Sequence, residues 1–187
     1  MGAGPLAFAL WLVFLASWWG AALWTGAARS RATLRLSLGY ILAFAAAFTL
    51  LFARPPLSGP PLWRDPALLA WPLLAAEIAA FAFAWWARVH LGRLWSGMMT
   101  LREGHRVVAS GPYALVRHPI YTGFIAAAWA LALLRATPAA LAGAAVLTIV
   151  LLAKAGREED LLRRELGAAD YDAYSARVPM IVPFAPR

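Results

Sequence analysis

Two short stretches carry most of the side chains in this sequence that are able to do chemistry. The first, SGPYALVRHPIYTG at residues 110–123, sets Arg117 and His118 beside two tyrosines, Tyr113 and Tyr121, and two prolines. The second, REED at residues 157–160, offers adjacent carboxylates, Glu158 and Glu159. Pro119 suits the first position of a helix, so Arg117 and His118 stand at a helix start. Unpaired backbone amides and the helix dipole favour an anion there. Carboxylates at the end of a neighbouring helix favour a cation. Together the two stretches suit a zwitterionic ligand. The same residues also read as ordinary charges flanking apolar segments, with Arg117 anchoring its helix at the lipid headgroups.

Other chemistries find less in the sequence. His90, His105 and His118 lack the local spacing of metal ligands. There is no G-x-G-x-x-G after a strand, no G-x-x-x-x-G-K-[ST] and no G-x-S-x-G elbow. The absence of cysteine removes thiolate metal sites, disulfides and a cysteine nucleophile.

The elements that must position these residues are apolar. Of 187 residues, 63% are hydrophobic and 14% charged, far from the balance of a soluble domain. The reading is an all-α integral membrane protein with about five transmembrane helices, a cytoplasmic cofactor-binding loop and a C-terminal helical segment. One domain is expected over 1–187, with three spans in 1–91 and the reactive core in 92–187. The expected spans are residues 5–28, 36–53, 67–91, 119–134 and 139–155. The first lacks a basic n-region and is too long for the h-region of a signal peptide. Thr137 is expected to cap the fifth helix, with Pro138 at its first position. That helix is expected to run on through REEDLLRREL to Gly167. Gly123 with Ala127, and Ala139 with Gly143, are small pairs expected to let the fourth and fifth helices approach.

Glu77 lies inside the third span, where an ionisable group is either functional or a protonated or interhelically bonded acid that glues the bundle. Residues 92–117 form the longest polar segment between spans, with Val107 and Val108 in a short extended piece before a turn at residues 110–112. The apolar, proline-broken tail after Val178 is expected to pack back onto the protein or the bilayer surface.

The net charge of +8 comes from residues in loops between apolar runs, which suits anionic lipid rather than nucleic acid. Five spans place 14 of the 17 lysines and arginines on one side. The positive-inside rule then puts the amino terminus outside, and both reactive stretches with the carboxy terminus in the cytoplasm. The expected location is the plasma (inner) membrane of a prokaryote.

Two blocks resemble the integral-membrane isoprenylcysteine carboxyl methyltransferase family, and more distantly the phospholipid methyltransferases. HRVVASGPYALVRHPIYTG, residues 105–123, matches a glycine-proline-tyrosine turn followed by R-H-P-x-Y-x-G. REEDLLRRELGAADYDAYSARVPMIVP, residues 157–183, matches a paired glutamate, a glycine, two spaced tyrosines and R-V-P. The resemblance covers roughly the last 80 residues. It implies S-adenosylmethionine as methyl donor, with His105, Val107, Val108, Gly111, Tyr113, His118, Pro119, Tyr121 and Glu158 as candidates for its site. It further implies that Arg117 orients an acceptor carboxylate or phosphate and that Glu159 or Glu158 completes the polar end of the pocket. The acceptor expected is lipophilic, foremost the carboxylate of an isoprenylcysteine-like lipid, with phospholipid amines and small thiols as alternatives. A membrane sterol-type reductase using a nicotinamide shares part of the closing pattern and stays open at this point.

Overall fold

The structure is a computed structural model that describes residues 2–21, 28–31, 34–63, 67–92, 100–102 and 108–185. It is helical apart from one short strand pair. The helices are α1 (Ala3–Ala21), α2 (Leu34–Leu51), α3 (Ala67–Leu91), α4 (Pro119–Arg135), α5 (Pro138–Leu166) and α6 (Ala168–Ser175). Strand β1 (Ala28–Arg31) pairs antiparallel with β2 (Thr100–Arg102) through an irregular register. The sequence reading did not foresee this pair. The extended piece expected there is Val107 and Val108, and Val107 lies outside the described residues.

Among the described residues, three helices are long and apolar enough to cross a membrane: Ala3–Ala21, Leu68–Leu91 and Pro138–Arg164. The apolar stretches Leu38–Leu51 and Pro119–Arg135 are shorter. At about 1.5 Å per residue, 17 residues reach about 26 Å, short of a roughly 30 Å hydrocarbon core. The expected five crossings are thus supported for three helices. The chain is an integral membrane protein, and its outer surface agrees with that. Large apolar side chains such as Val13, Leu42, Leu68, Trp71 and Ile149 face outward. A soluble bundle does not expose so many large apolar side chains.

α4 packs along α3, and α5 packs along α2 and α4. Trp11 of α1 is fully buried and meets Phe48, Phe52, Phe81 and Phe124 edge-on. α1 and α3 run in register. Phe14 stacks on Phe81 with ring centres 4.0 Å apart, and Trp18 meets Trp85 at 5.6 Å. One turn on, the buried Arg88 donates from Nη2 to the Ala21 carbonyl at 2.7 Å and from Nη1 to the Gly92 carbonyl at 3.0 Å. It lies where two helix C-termini leave carbonyls unpaired and the dipoles favour a cation.

Glu77, on the same helix, is fully buried, and neither carboxyl oxygen has a hydrogen-bond partner among the described residues. The expected interhelical bond is therefore not found there. The small pairs serve different interfaces from the one expected. A Cβ built on Gly123 lies 2.6 Å from the Ala80 carbonyl oxygen of α3, and one on Gly143 lies 2.4 Å from the Leu51 amide nitrogen of α2. Close approach is real, but it joins α4 to α3 and α5 to α2.

Candidate active site

The site gathers at the start of α4. Gly111 takes φ +58, a left-handed conformation that glycine adopts without strain, and opens a short 3-10 turn, Gly111–Ala114. Its missing side chain leaves room for His90, whose ring would lie 2.7 Å from a Cβ there. His90 Nε2 is 2.9 Å from Ser110 Oγ. Tyr113 is buried on Ala87 and Ile120, with Val108 packed against the same cluster. Pro119 occupies the first helical position of α4 and His118 the cap, as the sequence indicates.

α5 continues past the apolar region to Leu166, and Gly167 ends it at φ +103. Thr137 caps its start by accepting from the Ala140 amide. The continuation lays Glu158 and Glu159 beside α4. Arg117 donates to Glu159 through Nε at 2.8 Å and Nη2 at 3.0 Å, a bidentate pair. Its Nη1 donates to the Ser175 carbonyl at 3.0 Å and to the Val178 carbonyl at 2.7 Å. His118 Nε2 lies 2.9 Å from Glu159 Oε1. Tyr121 donates its hydroxyl to Glu158 at 2.7 Å and accepts from Lys154 Nζ at 2.6 Å, while Lys154 also donates to Glu158. The His118 and Tyr121 rings lie parallel, 5.4 Å apart.

The tail packs back as expected, and onto a definite place. The Pro179 and Met180 carbonyls accept from the Arg117 and His118 amides at 2.8 and 3.0 Å, and Ile181 accepts from Thr122 Oγ1 at 2.6 Å. Two amides at this helix start therefore face the tail rather than an anion, which weakens the reading of the helix start as an anion site. Tyr174 donates to the Tyr113 carbonyl at 2.7 Å, and Tyr171 and Tyr174 pack with Val178 and Leu162. Burial pushes both phenols well above their ordinary range, so they remain donors. Burial acts to lower the Arg117 guanidinium, but the hydrogen bonds and charge of Glu159 outweigh it and hold it above its ordinary value.

Of the sequence candidates, Arg117 and His118 bond to Glu159 and Tyr121 bonds to Glu158, and the parallel His118 and Tyr121 rings bring the two groups together. Tyr113 is tied to their edge through Tyr174. Val108, Gly111 and Pro119 shape the backbone and packing around them. His105 and Val107 lie outside the described residues.

Residues 73–164 match the isoprenylcysteine carboxyl methyltransferase (ICMT) family. That segment contains both halves of the cluster. By these residues, the segment 73–164 belongs to the ICMT family. Two relatives from Bradyrhizobium diazoefficiens are similar to it. Methanethiol S-methyltransferase 1 is 33% identical over 141 residues, covering 65% of this chain and 48% of the relative. Methanethiol S-methyltransferase 2 is 30% identical over 159 residues, covering 77% of this chain and 58% of the relative. The chain thus spans about half the length of the curated relatives it matches.

Within this family segment, sequence reasoning missed Lys154. Its side chain is buried, and it closes a triangle with Tyr121 and Glu158. The signal was present: the sole lysine of the chain stands four residues before Glu158, a spacing that pairs side chains on one helix face. Lys154→Met should destabilise the protein by about 2 kcal/mol, because it strands Glu158 and takes a donor from Tyr121. Adding Glu158→Gln should recover part of that loss, since no lone charge then remains. Denaturant midpoints in detergent measure both, and an unchanged midpoint for Lys154→Met would show that water replaces the ammonium without cost.

Proposed function

We propose that this protein is an integral-membrane methyltransferase that moves a methyl group from S-adenosylmethionine to a small thiol. The observation that carries this reading is the bonding of the paired glutamate to the R-H-P-x-Y side chains. The two sequence blocks become one site through Arg117–Glu159, His118–Glu159 and Tyr121–Glu158.

The residues present fit the methyl donor by their chemistry. Carboxylates suit a ligand bearing ammonium and sulfonium charge, and aromatic faces attract cations and stack on a base. His118, Tyr121, Tyr113 and Glu158 would hold it, with His105, Val107, Val108, Gly111 and Pro119 as further candidates. When bound, S-adenosylmethionine supplies an electrophilic methyl group. The protein's task is then to align the acceptor and exclude water.

The acceptor follows from how Arg117 is engaged. An acceptor carboxylate would need a cation, and Arg117 already directs four N–H groups at Glu159, Ser175 and Val178. Lys154 is likewise engaged by Glu158. A thiol needs no such partner, and the names of both relatives agree with a thiol. The lipid carboxylate, foremost in the sequence reading, takes second place. In the orientation set by the basic residues, the site and the carboxy terminus face the cytoplasm of a prokaryotic cell and the amino terminus lies outside.

Two measurements on the detergent-purified protein test this. Calorimetric titration should give micromolar binding of S-adenosylhomocysteine and none of a reduced nicotinamide. Labelled methyl should pass to methanethiol at least tenfold faster than to an isoprenylcysteine analogue. Binding of the nicotinamide alone would favour a reductase, and the reverse acceptor ranking would restore the carboxylate.

A further inference from the structure

We infer that His118 is the general base for the acceptor thiol, acting through Nδ1, and that Glu159 is the residue that sets its tautomer. The inference rests on the thiol reading above. Its own evidence is the hydrogen-bond order around the ring.

Glu159 receives a bidentate pair from Arg117, at 2.8 and 3.0 Å, which is the geometry of an ionised carboxylate. An ionised carboxylate only accepts. The 2.9 Å contact from His118 Nε2 to Glu159 Oε1 therefore requires the proton to sit on Nε2. A neutral imidazole carries one proton, so Nδ1 keeps its lone pair. That nitrogen makes no hydrogen bond among the described residues. Its nearest charged group is Glu158 Oε2 at 3.9 Å, beyond hydrogen-bond range. The ring is fixed on a second side by its parallel contact with Tyr121. This is the logic of a carboxylate–histidine pair, in which one nitrogen is spent on orientation and the other is presented bare.

The other groups around the ring are suited to the change. Arg117 and Lys154 are each bonded to a glutamate, and Tyr121 donates to Glu158. With His118 neutral, the two cations and two carboxylates of the cluster balance. With His118 protonated, Glu159 at 2.9 Å and Glu158 at 3.9 Å both lie close to the new charge. Tyr171 and Tyr174, which interact with Glu159 and Arg117, are held protonated by burial and add no charge.

The proton balance is complete. The thiol proton passes to Nδ1, and the S–H electron pair forms the new S–CH3 bond. The methyl–sulfonium bond of the donor breaks, its pair staying on sulfur, so a cationic donor and neutral histidine become a neutral thioether and an imidazolium. The imidazolium then returns its proton to water. A carboxylate acceptor would need no such base, so the bare Nδ1 marks an acceptor that carries a proton.

The first test needs no turnover. In protein labelled with 15N-histidine, with resonances assigned through His90→Gln and His105→Gln, the His118 ring should be a neutral imidazole protonated on Nε2. Protonation on Nδ1 would overturn the inference. The second test uses His118→Gln, whose amide keeps a donor for Glu159 but offers no base. With S-adenosylmethionine saturating, so that a change in donor affinity does not enter, methyl transfer to methanethiol at neutral pH should fall about a hundredfold. The loss should shrink about tenfold per pH unit as the thiol ionises on its own, a recovery that a merely structural role would not produce. A loss equal at all pH values would overturn the inference and leave the thiol reading intact. Failure of the wild-type protein to bind S-adenosylhomocysteine would remove that reading itself.

Discussion

Glu159→Ala is expected to lower methyl transfer on the order of a thousandfold, because the carboxylate orients His118 and balances Arg117 at once. Both side chains of the ion pair are largely buried, with 14% and 17% of their surfaces exposed. Removing the carboxylate leaves an enclosed guanidinium with half its partners gone. Breaking such a pair costs about 3 kcal/mol, more than the pair itself contributes. Arg117 would still hold the Ser175 and Val178 carbonyls, so the tail should stay attached at its Pro179 and Met180 contacts. The signature to seek is non-additivity. Arg117→Ala alone should lose activity about a hundredfold, because Glu159 then turns from its fixed position. The double variant should be no worse than Glu159→Ala and should regain part of its stability, since residues that act as a unit fail as a unit. Initial rates with labelled donor and denaturant midpoints measure the cycle. If Glu159→Ala kept a tenth of wild-type activity, the cluster would be a clamp for the tail and not the reaction site.

How much of this arrangement the sequence discloses follows from which interactions are local. Helix bounds were legible because proline and glycine punctuate them. Pro119 and Pro138 open α4 and α5, and Gly167 closes α5. The meeting of Arg117 with Glu159 was legible only as a juxtaposition, from two polar blocks on either side of a short hairpin. The order of bonds was not. Nothing in the spacing of the sequence says that Arg117 commits its donors to the tail, or that Tyr121 relays between Lys154 and Glu158. Those facts depend on where residues 175–181 return, 58 positions later in the chain for the Arg117–Ser175 contact. The pairing of β1 with β2 was hidden for the same reason. It joins segments about 70 residues apart, and neither alternates apolar and polar residues in the way a buried strand would.

Helix partners were the other blind point, and Gly143 gives the sharpest test of the corrected assignment. A Cβ at Gly143 would lie 2.4 Å from the Leu51 amide nitrogen, 2.7 Å from the Ala47 carbonyl oxygen and 2.8 Å from Leu51 Cα. All three are backbone atoms of α2, so no rotamer change relieves the clash. The helices must separate, and separation exposes the fully buried Leu51 and Ala144 and the nearly buried Ala47. Gly143→Ala should therefore cost about 3 kcal/mol, at the upper end of overpacking effects. Ala142, next in sequence but on the exposed face, should accept leucine within about 0.5 kcal/mol. Distance then separates stability from chemistry. Gly143 stands 16 residues before Glu159 on α5, about 24 Å along the helix, so the surviving folded fraction of Gly143→Ala should turn over at the wild-type rate. Gly123→Ala should behave differently. Its Cβ would meet the Ala80 carbonyl and Ala84 of α3 at 2.6 and 2.8 Å, and Gly123 lies five residues from His118. Displacing α4 there should lower both the midpoint and the rate per folded molecule. Equal rates for the two variants would mean that the α3–α4 contact does not position the site. An undisturbed midpoint for Gly143→Ala would mean that α5 does not lie against α2 as closely as the glycine requires.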